Sequence, residues 1–180
     1  MKTNTALSLI DIFYGNLNEF LAFSVALINK LEQSPPSSTI LNPENILIEK
    51  KNNNYDISFN FNESTDPFSK NLYVSPEIKK EIDRDIDNRS ILYSIGIIFH
   101  VLLTKQFPII TTCINVNFSS NESIPQAIQF IIEKLICKFP EDRYQSLNGI
   151  RSDLIKAQNE YEKTGDITPF FPGSDDKPIE

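Results

Sequence analysis

The sequence predicts a mainly α-helical domain carrying one small β-hairpin. Three observations predict it. Apolar residues recur at helical spacing in Leu17 to Leu31, in Pro125 to Cys137 and in Leu147 to Tyr161. A further run, Asn88 to Thr104, is apolar on nearly every side, so it belongs in the interior. Between the first helix and this run, Tyr55 to Phe61 alternates Tyr, Ile, Phe, Phe against Asp, Ser, Asn, the period of a strand.

Taken in order, residues 1–15 are mixed and form an N-terminal segment. The first helix turns Leu17, Phe20, Leu21, Val25, Ile28 and Leu31 inward, with Asn16 or Asn18 as its cap. Pro35 and Pro36 stop it, because proline cannot continue a helix. Ile46 to Ile48 and Tyr55 to Phe61 flank three asparagines, residues that tolerate left-handed backbone, which predicts a hairpin over 46–61. Residues 62–72 are a polar loop. Asn88 to Thr104 is the central post, and 105–123 are loop-like. Pro125 opens the next helix, with Ile128, Ile131, Ile132, Leu135 and Ile136 inward, since proline suits a first turn. Ser146 caps a last helix carrying Leu147, Ile150, Leu154, Ala157 and Tyr161. From Lys163 on, Pro, Gly and Asp dominate. The expected organisation is a segment 1–15, a domain 16–160 and a linker-like tail 161–180.

Composition excludes several function classes. The 180 residues suit one domain. A net charge of −7 argues against nucleic acid or anionic membrane as the main partner. The most apolar stretch, Ile91 to Leu103, holds 13 residues, short of the roughly 20 a bilayer needs. Asp11 interrupts the apolar stretch a leader would use, so the expected location is cytoplasmic. Cys113 and Cys137 are expected as reduced thiols. Five glycines leave little room for a phosphate-cradling loop, and one histidine, His100, supports no triad and is expected to pack. Asp83, Asp85 and Asp87 lack the glycine and distal glutamate of a Ca²⁺ loop and read as a solvated charged loop.

This order of elements resembles the large (C-terminal) lobe of a protein kinase, and four motifs agree in register. Leu41-Asn42-Pro43-Glu44-Asn45-Ile46-Leu47-Ile48 resembles the catalytic loop, and Ser75-Pro76-Glu77 the Ala-Pro-Glu motif closing the activation segment. Asn88 to Gly96 resembles the start of the central helix. Lys138-Phe139-Pro140-Glu141-Asp142-Arg143-Tyr144 resembles the turn that carries a structural arginine. The likeness covers residues 16–160. A finer resemblance, through Leu41-Asn42-Pro43, Glu141 to Ser146 and the tail Gly165 to Phe170, is to the kinase-like domain heading large multidomain histidine kinases with an ATPase module. The implied fold is a mainly α, protein kinase-like C-lobe with a small β-hairpin, lacking the N-lobe.

What the resemblance implies for chemistry turns on particular positions. A kinase positions ATP, holds magnesium and orients the acceptor hydroxyl. The catalytic aspartate position is Ile40, preceded by Ser38 and Thr39, and the catalytic-loop lysine position is Asn42. The metal-binding triplet falls at Ser58-Phe59-Asn60, with Asp56 two residues off register. Asn45 and Leu47 remain as remnants of the nucleotide site. The helix aspartate that steadies the catalytic loop is Ile91. Residues 1–15 are too few to form an N-lobe. The 17 residues between Phe107 and Pro125 imply that the partner-docking helix is shortened or absent.

The expectation is therefore a catalytically inactive, pseudokinase-type fragment that takes no nucleotide or metal cofactor. It would bind another protein through the exposed cleft floor around Leu47. A decayed serine/threonine kinase fragment and one half of a split kinase are the alternatives. Glu77 and Arg143 are expected to form a buried, bidentate structural pair, and reversing both charges is expected to restore part of what breaking it costs.

Overall fold

A computed structural model describes residues 13, 15–35, 40–51, 54–61, 72–109, 118 and 124–176. Ser38, Thr39, Cys113, the hairpin tip and most of the 108–124 segment lie outside the described residues.

Helix α1 spans Leu17–Gln33. Asn16, rather than Asn18, caps it, its side-chain oxygen accepting the Glu19 N–H at 3.2 Å. Phe23 and Leu27 are fully buried along with Phe20, Leu21, Ile28 and Leu31. They exceed a single inward stripe because α1 is covered twice, by the hairpin and by the last helix.

Strands β1 (Ile46–Lys51) and β2 (Asn54–Phe59) form an antiparallel hairpin. Ile46 faces Phe59, Leu47 faces Ser58, Ile48 faces Ile57 and Lys50 faces Tyr55. With a period of two, Ile46, Ile48, Tyr55 and Ile57 turn toward the core. Tyr55 joins the rings of Phe13 and Phe23, whose centroids are 4.6 Å apart. Glu19 on α1 accepts from both Lys50 Nζ and the Tyr55 hydroxyl, fastening the hairpin to the helix.

Helix α2, Arg89–Thr104, is the central post, and every residue from Ser90 to Thr104 is buried. Gly96 admits the end of α3 (Gln126–Leu135): a Cβ there would lie 2.4 Å from Ile136 Cγ2 and 2.7 Å from Leu135 Cβ. His100 packs within the core, its Nδ1 2.9 Å from the Gln106 carbonyl oxygen and its ring 5.2 Å from Phe118. Pro125 stands at the cap of α3 rather than inside it. Helix α4, Leu147–Thr164, starts at Ser146, whose Oγ accepts the Gly149 N–H at 3.0 Å. It packs on α1 and α3, and Arg151 reaches Glu32 at 2.6 Å.

The tail departs from the linker-like reading. α4 continues to Thr164, and residues 165–176 return along it. Ile167 is buried in the core cluster. Pro and Gly correctly signal that the helix ends, but they say nothing of whether the chain beyond it is held. No helix among the described residues is long and apolar enough to cross a membrane.

Candidate functional site

The loop leading into the hairpin is built around one tight turn. Pro43 fixes the backbone at the start of a single 3-10 turn, Pro43–Asn45. Asn42 caps it, its Oδ1 accepting the Asn45 N–H at 3.1 Å, while Asn45 Oδ1 accepts the Asn42 N–H at 3.3 Å. This reciprocal box fixes both side chains. Asn45 Nδ2 also donates to the Asn60 carbonyl oxygen at 3.0 Å, and the Asn60 N–H donates to the Asn45 carbonyl oxygen at 2.9 Å. The loop and the far end of β2 are thereby joined. Asn42 and Asn45 are both buried, so their amides serve mainly to hold this corner together.

Around this corner, Ile40 is half-buried and Leu41 fully buried. Ser58 is exposed opposite the half-buried Leu47, and Asp56 is exposed opposite Glu49. The outward face of the hairpin therefore carries Leu47, Glu49, Asp56 and Ser58. This face, the cleft floor around Leu47, presents one leucine among polar neighbours. The strand period puts the isoleucines on the other face. Among the described residues, no three His, Cys, Asp or Glu side chains are grouped to hold a metal ion.

A second polar cluster lies between the start of α2 and the turn before α4. Arg143 Nη1 donates to Glu77 Oε1 at 2.7 Å, and Nη2 to Oε2 at 2.8 Å. Both side chains are completely buried. The remaining Arg143 donors go to main-chain carbonyls: Nε to Cys137 at 2.8 Å, Nη1 to Arg89 at 3.0 Å and Nη2 to Lys138 at 3.1 Å. Glu77 Oε1 also accepts from the Ser90 hydroxyl at 2.7 Å. Burial pushes the Glu77 carboxyl up, but the Arg143 and Ser90 hydrogen bonds outweigh it and hold it down at about 2. The Arg143 guanidinium sits 5.1 Å from the centroid of the Tyr93 ring.

This cluster fastens three segments to one another. The residues ending at Glu77, the first turn of α2 and the Pro140–Asp142 turn all meet at Arg143. Gln145 extends it, accepting from Arg89 Nη1 at 3.1 Å and donating to the Arg143 carbonyl oxygen at 2.7 Å. Arg89 is also clamped by Asp87 at 2.6 Å, and Arg84 by Glu141 at 3.0 Å. Asp87 thus serves as the partner of a neighbouring arginine. Ile91 is buried one residue past Ser90. Sequence reasoning missed Ser90 and Gln145. Ser90 stands at the edge of an apolar run, where nothing local marks its hydroxyl as the carboxylate's second donor.

No protein-family model matches the chain. It is 33% identical over 94 residues to Hybrid signal transduction histidine kinase G of Dictyostelium discoideum, covering 46% of this chain and 3% of that protein. It is 28% identical over 114 residues to Peroxide stress-activated histidine kinase mak3 of Schizosaccharomyces pombe, covering 57% of this chain and 5% of that protein. The chain thus spans a small fraction of these relatives. Among solved structures, the Mycobacterium tuberculosis PknI kinase domain superposes with a TM-score of 0.64 at 17% identity. The match covers 86% of this chain and 62% of that one.

Proposed function

Because the chain has a protein kinase-like fold, that of the large lobe, we propose that it is a non-catalytic lobe that works by binding another protein in a signalling assembly. One contrast carries this reading. The buried Glu77–Arg143 cluster uses every arginine donor, whereas the positions aligned with the proton acceptor and the metal carboxylate hold Ile40 and Ser58.

Phosphoryl transfer depends on positioning and on electrostatic stabilisation of the transferring group. The Ile40 side chain accepts no proton, and the neutral Ser58 hydroxyl supplies no charge to fix Mg²⁺. The Asn45 amide already bonds Asn42 and Asn60. The presence of the Glu77–Arg143 contacts beside an isoleucine and a serine at positions 40 and 58 supports this reading. Removing either Glu77 or Arg143 would strand a buried charge, which supports a scaffold whose fold depends on keeping both. The two histidine kinase relatives support a signalling context. Under this reading the partner would meet the outward hairpin face of Leu47, Glu49, Asp56 and Ser58, whose mixed character favours a polar surface.

The test is phosphate transfer from radiolabelled Mg-ATP to a generic basic protein, together with melting in millimolar Mg-ATP. No transfer and no change in Tm are expected, because stabilisation follows ligand concentration over Kd. A rise of several degrees, or transfer that a Glu44→Ala, Asn45→Ala variant abolishes, would overturn the reading.

A further inference from the structure

The glycine at position 149 is dictated by what lies over it. Asp176 occupies the place of the missing side chain: a Cβ there would lie 2.5 Å from Asp176 Oδ1 and 2.7 Å from Asp176 Cβ. A larger residue would collide, so the position is glycine although glycine is a poor helix former. The residue before it is Asn148, and the sequence holds no other Asn-Gly step. Such a step is where an asparagine side chain reacts most readily with its own backbone, because the glycine nitrogen has no side chain beside it. Asn148 is exposed to the water that the reaction consumes.

In that reaction the Gly149 amide gives its proton to hydroxide, and its nitrogen bonds to Asn148 Cγ. The Cγ–Nδ2 bond breaks and Nδ2 leaves as ammonia. Water then opens the cyclic imide at either carbonyl, giving aspartate or isoaspartate. The structure opposes the ring closure. Both residues lie in the first turn of α4, and the backbone must leave the helical range before the nitrogen can reach Cγ. The Gly149 N–H donates to Ser146 Oγ at 3.0 Å, a bond that favours keeping the proton. The Ser146 hydroxyl itself donates to Asp176 Oδ1 at 2.8 Å, which leaves its lone pairs for Gly149. Asn148 Oδ1 accepts from Arg151 Nη2 at 2.6 Å, and Arg151 Nη1 donates to Glu32 on α1 at 2.6 Å.

We propose that Asn148–Gly149 is a spontaneous deamidation site held shut by the Ser146 cap, so that the chain gains a carboxylate there at a rate set by opening of the first turn of α4. The modification alters a contact between the first and last helices. An aspartate side chain would bring a charge to Arg151 and compete with Glu32 for it. An isoaspartyl link would lengthen the backbone within the first turn and break the cap. Each brief opening is thereby converted into a permanent chemical mark at the seam between α1 and α4.

The full chain is incubated in mildly alkaline buffer, with and without denaturing urea, and deamidation at Asn148 is followed by peptide mapping with mass spectrometry. It should be at least about tenfold slower in the folded chain than in urea, because the reaction follows the open population. Without urea, Ser146→Ala should accelerate it by about fivefold, as expected for a lost cap. Ser146→Thr keeps a capping hydroxyl and should stay within about twofold of the unaltered chain. Far-UV circular dichroism establishes that each variant is folded. Should Ser146→Ala unfold, Asp176→Ala takes its place, since it removes the acceptor that orients the Ser146 hydroxyl, and acceleration is again expected. Equal rates with and without urea overturn the proposal. So does a folded Ser146→Ala or Asp176→Ala variant that deamidates no faster than the unaltered chain, or a Ser146→Thr variant that deamidates as fast as Ser146→Ala.

Discussion

Replacing Arg143 by alanine should be the most damaging single change among the polar residues. The guanidinium donates five hydrogen bonds, two to Glu77 and three to the carbonyls of Cys137, Arg89 and Lys138. Its loss leaves a fully buried carboxylate with the Ser90 hydroxyl as its remaining side-chain donor. Breaking a buried pair from one side costs about 3–5 kcal/mol. Against a total stability of about 5–15 kcal/mol, that is a large fraction. For a chain of this size, about 2–4 °C is lost per kcal/mol, so Tm should fall by about 6–20 °C. The penalty should depend on pH with a definite sign. Glu77 is held at about 2 against an ordinary 4.5, so its contribution is complete above pH 4.5 and lost as pH falls through 2. In Arg143→Ala the stranded carboxyl is instead relieved by protonation. The Tm difference between the two proteins should therefore narrow as pH falls from 7 toward 3, followed by circular dichroism melting. A fall under 2 °C at pH 7, or a gap that widens in acid, would refute the reasoning.

Exchanging the two residues, Glu77→Arg with Arg143→Glu, should recover little or nothing of this loss, contrary to the expectation from the sequence. A carboxylate at 143 would face three carbonyl oxygens, and melting of the double variant beside Arg143→Ala decides it. Gly96→Ala should destabilise by about 1–3 kcal/mol through overpacking against Ile136 and Leu135, despite the better helix propensity of alanine, and denaturant titration reads the difference. Ile40→Asp, alone or with Ser58→Asp, should yield no phosphate transfer in the radiolabel assay. Tyr144→Phe should lower stability by about 1.5–3 kcal/mol, because it removes the 2.6 Å hydrogen bond to the Asp153 carboxylate, as measured by chemical denaturation.

Much of the architecture was legible because it follows from short-range rules. The caps at Asn16 and Ser146, the 46–61 hairpin and the all-round apolar run of α2 each depend on residues within a turn or two. The Glu77–Arg143 contact spans 66 positions and was legible only through the resemblance of its two flanking motifs. No local pattern announces it. The three carbonyls that complete Arg143 were invisible, since main-chain acceptors leave no mark in a sequence. The hold on the tail is illegible for the converse reason. Ile167 and Asp176 look unremarkable, and what holds them is the spacing of partners on a different element. The polar outward face of the hairpin follows from strand register, which sets Leu47 against Ser58 and Glu49 against Asp56.

The pairing of the first helix with the last bears on how the chain is made. Arg151 on α4 meets Glu32 on α1 across 119 positions. At a synthesis rate of about 5–20 residues per second, α1 waits roughly 6–24 s for that partner to emerge from the ribosome. During that interval the hairpin can cover one of its faces, but the face bearing on α4 stays open to water. Phe20, Leu21, Phe23, Leu27, Ile28 and Leu31, which end fully or almost fully buried, are on a helix that must wait. Such a nascent helix is a natural client for a chaperone at the ribosome exit, and the burden on that chaperone is set by where in the gene the last helix is encoded.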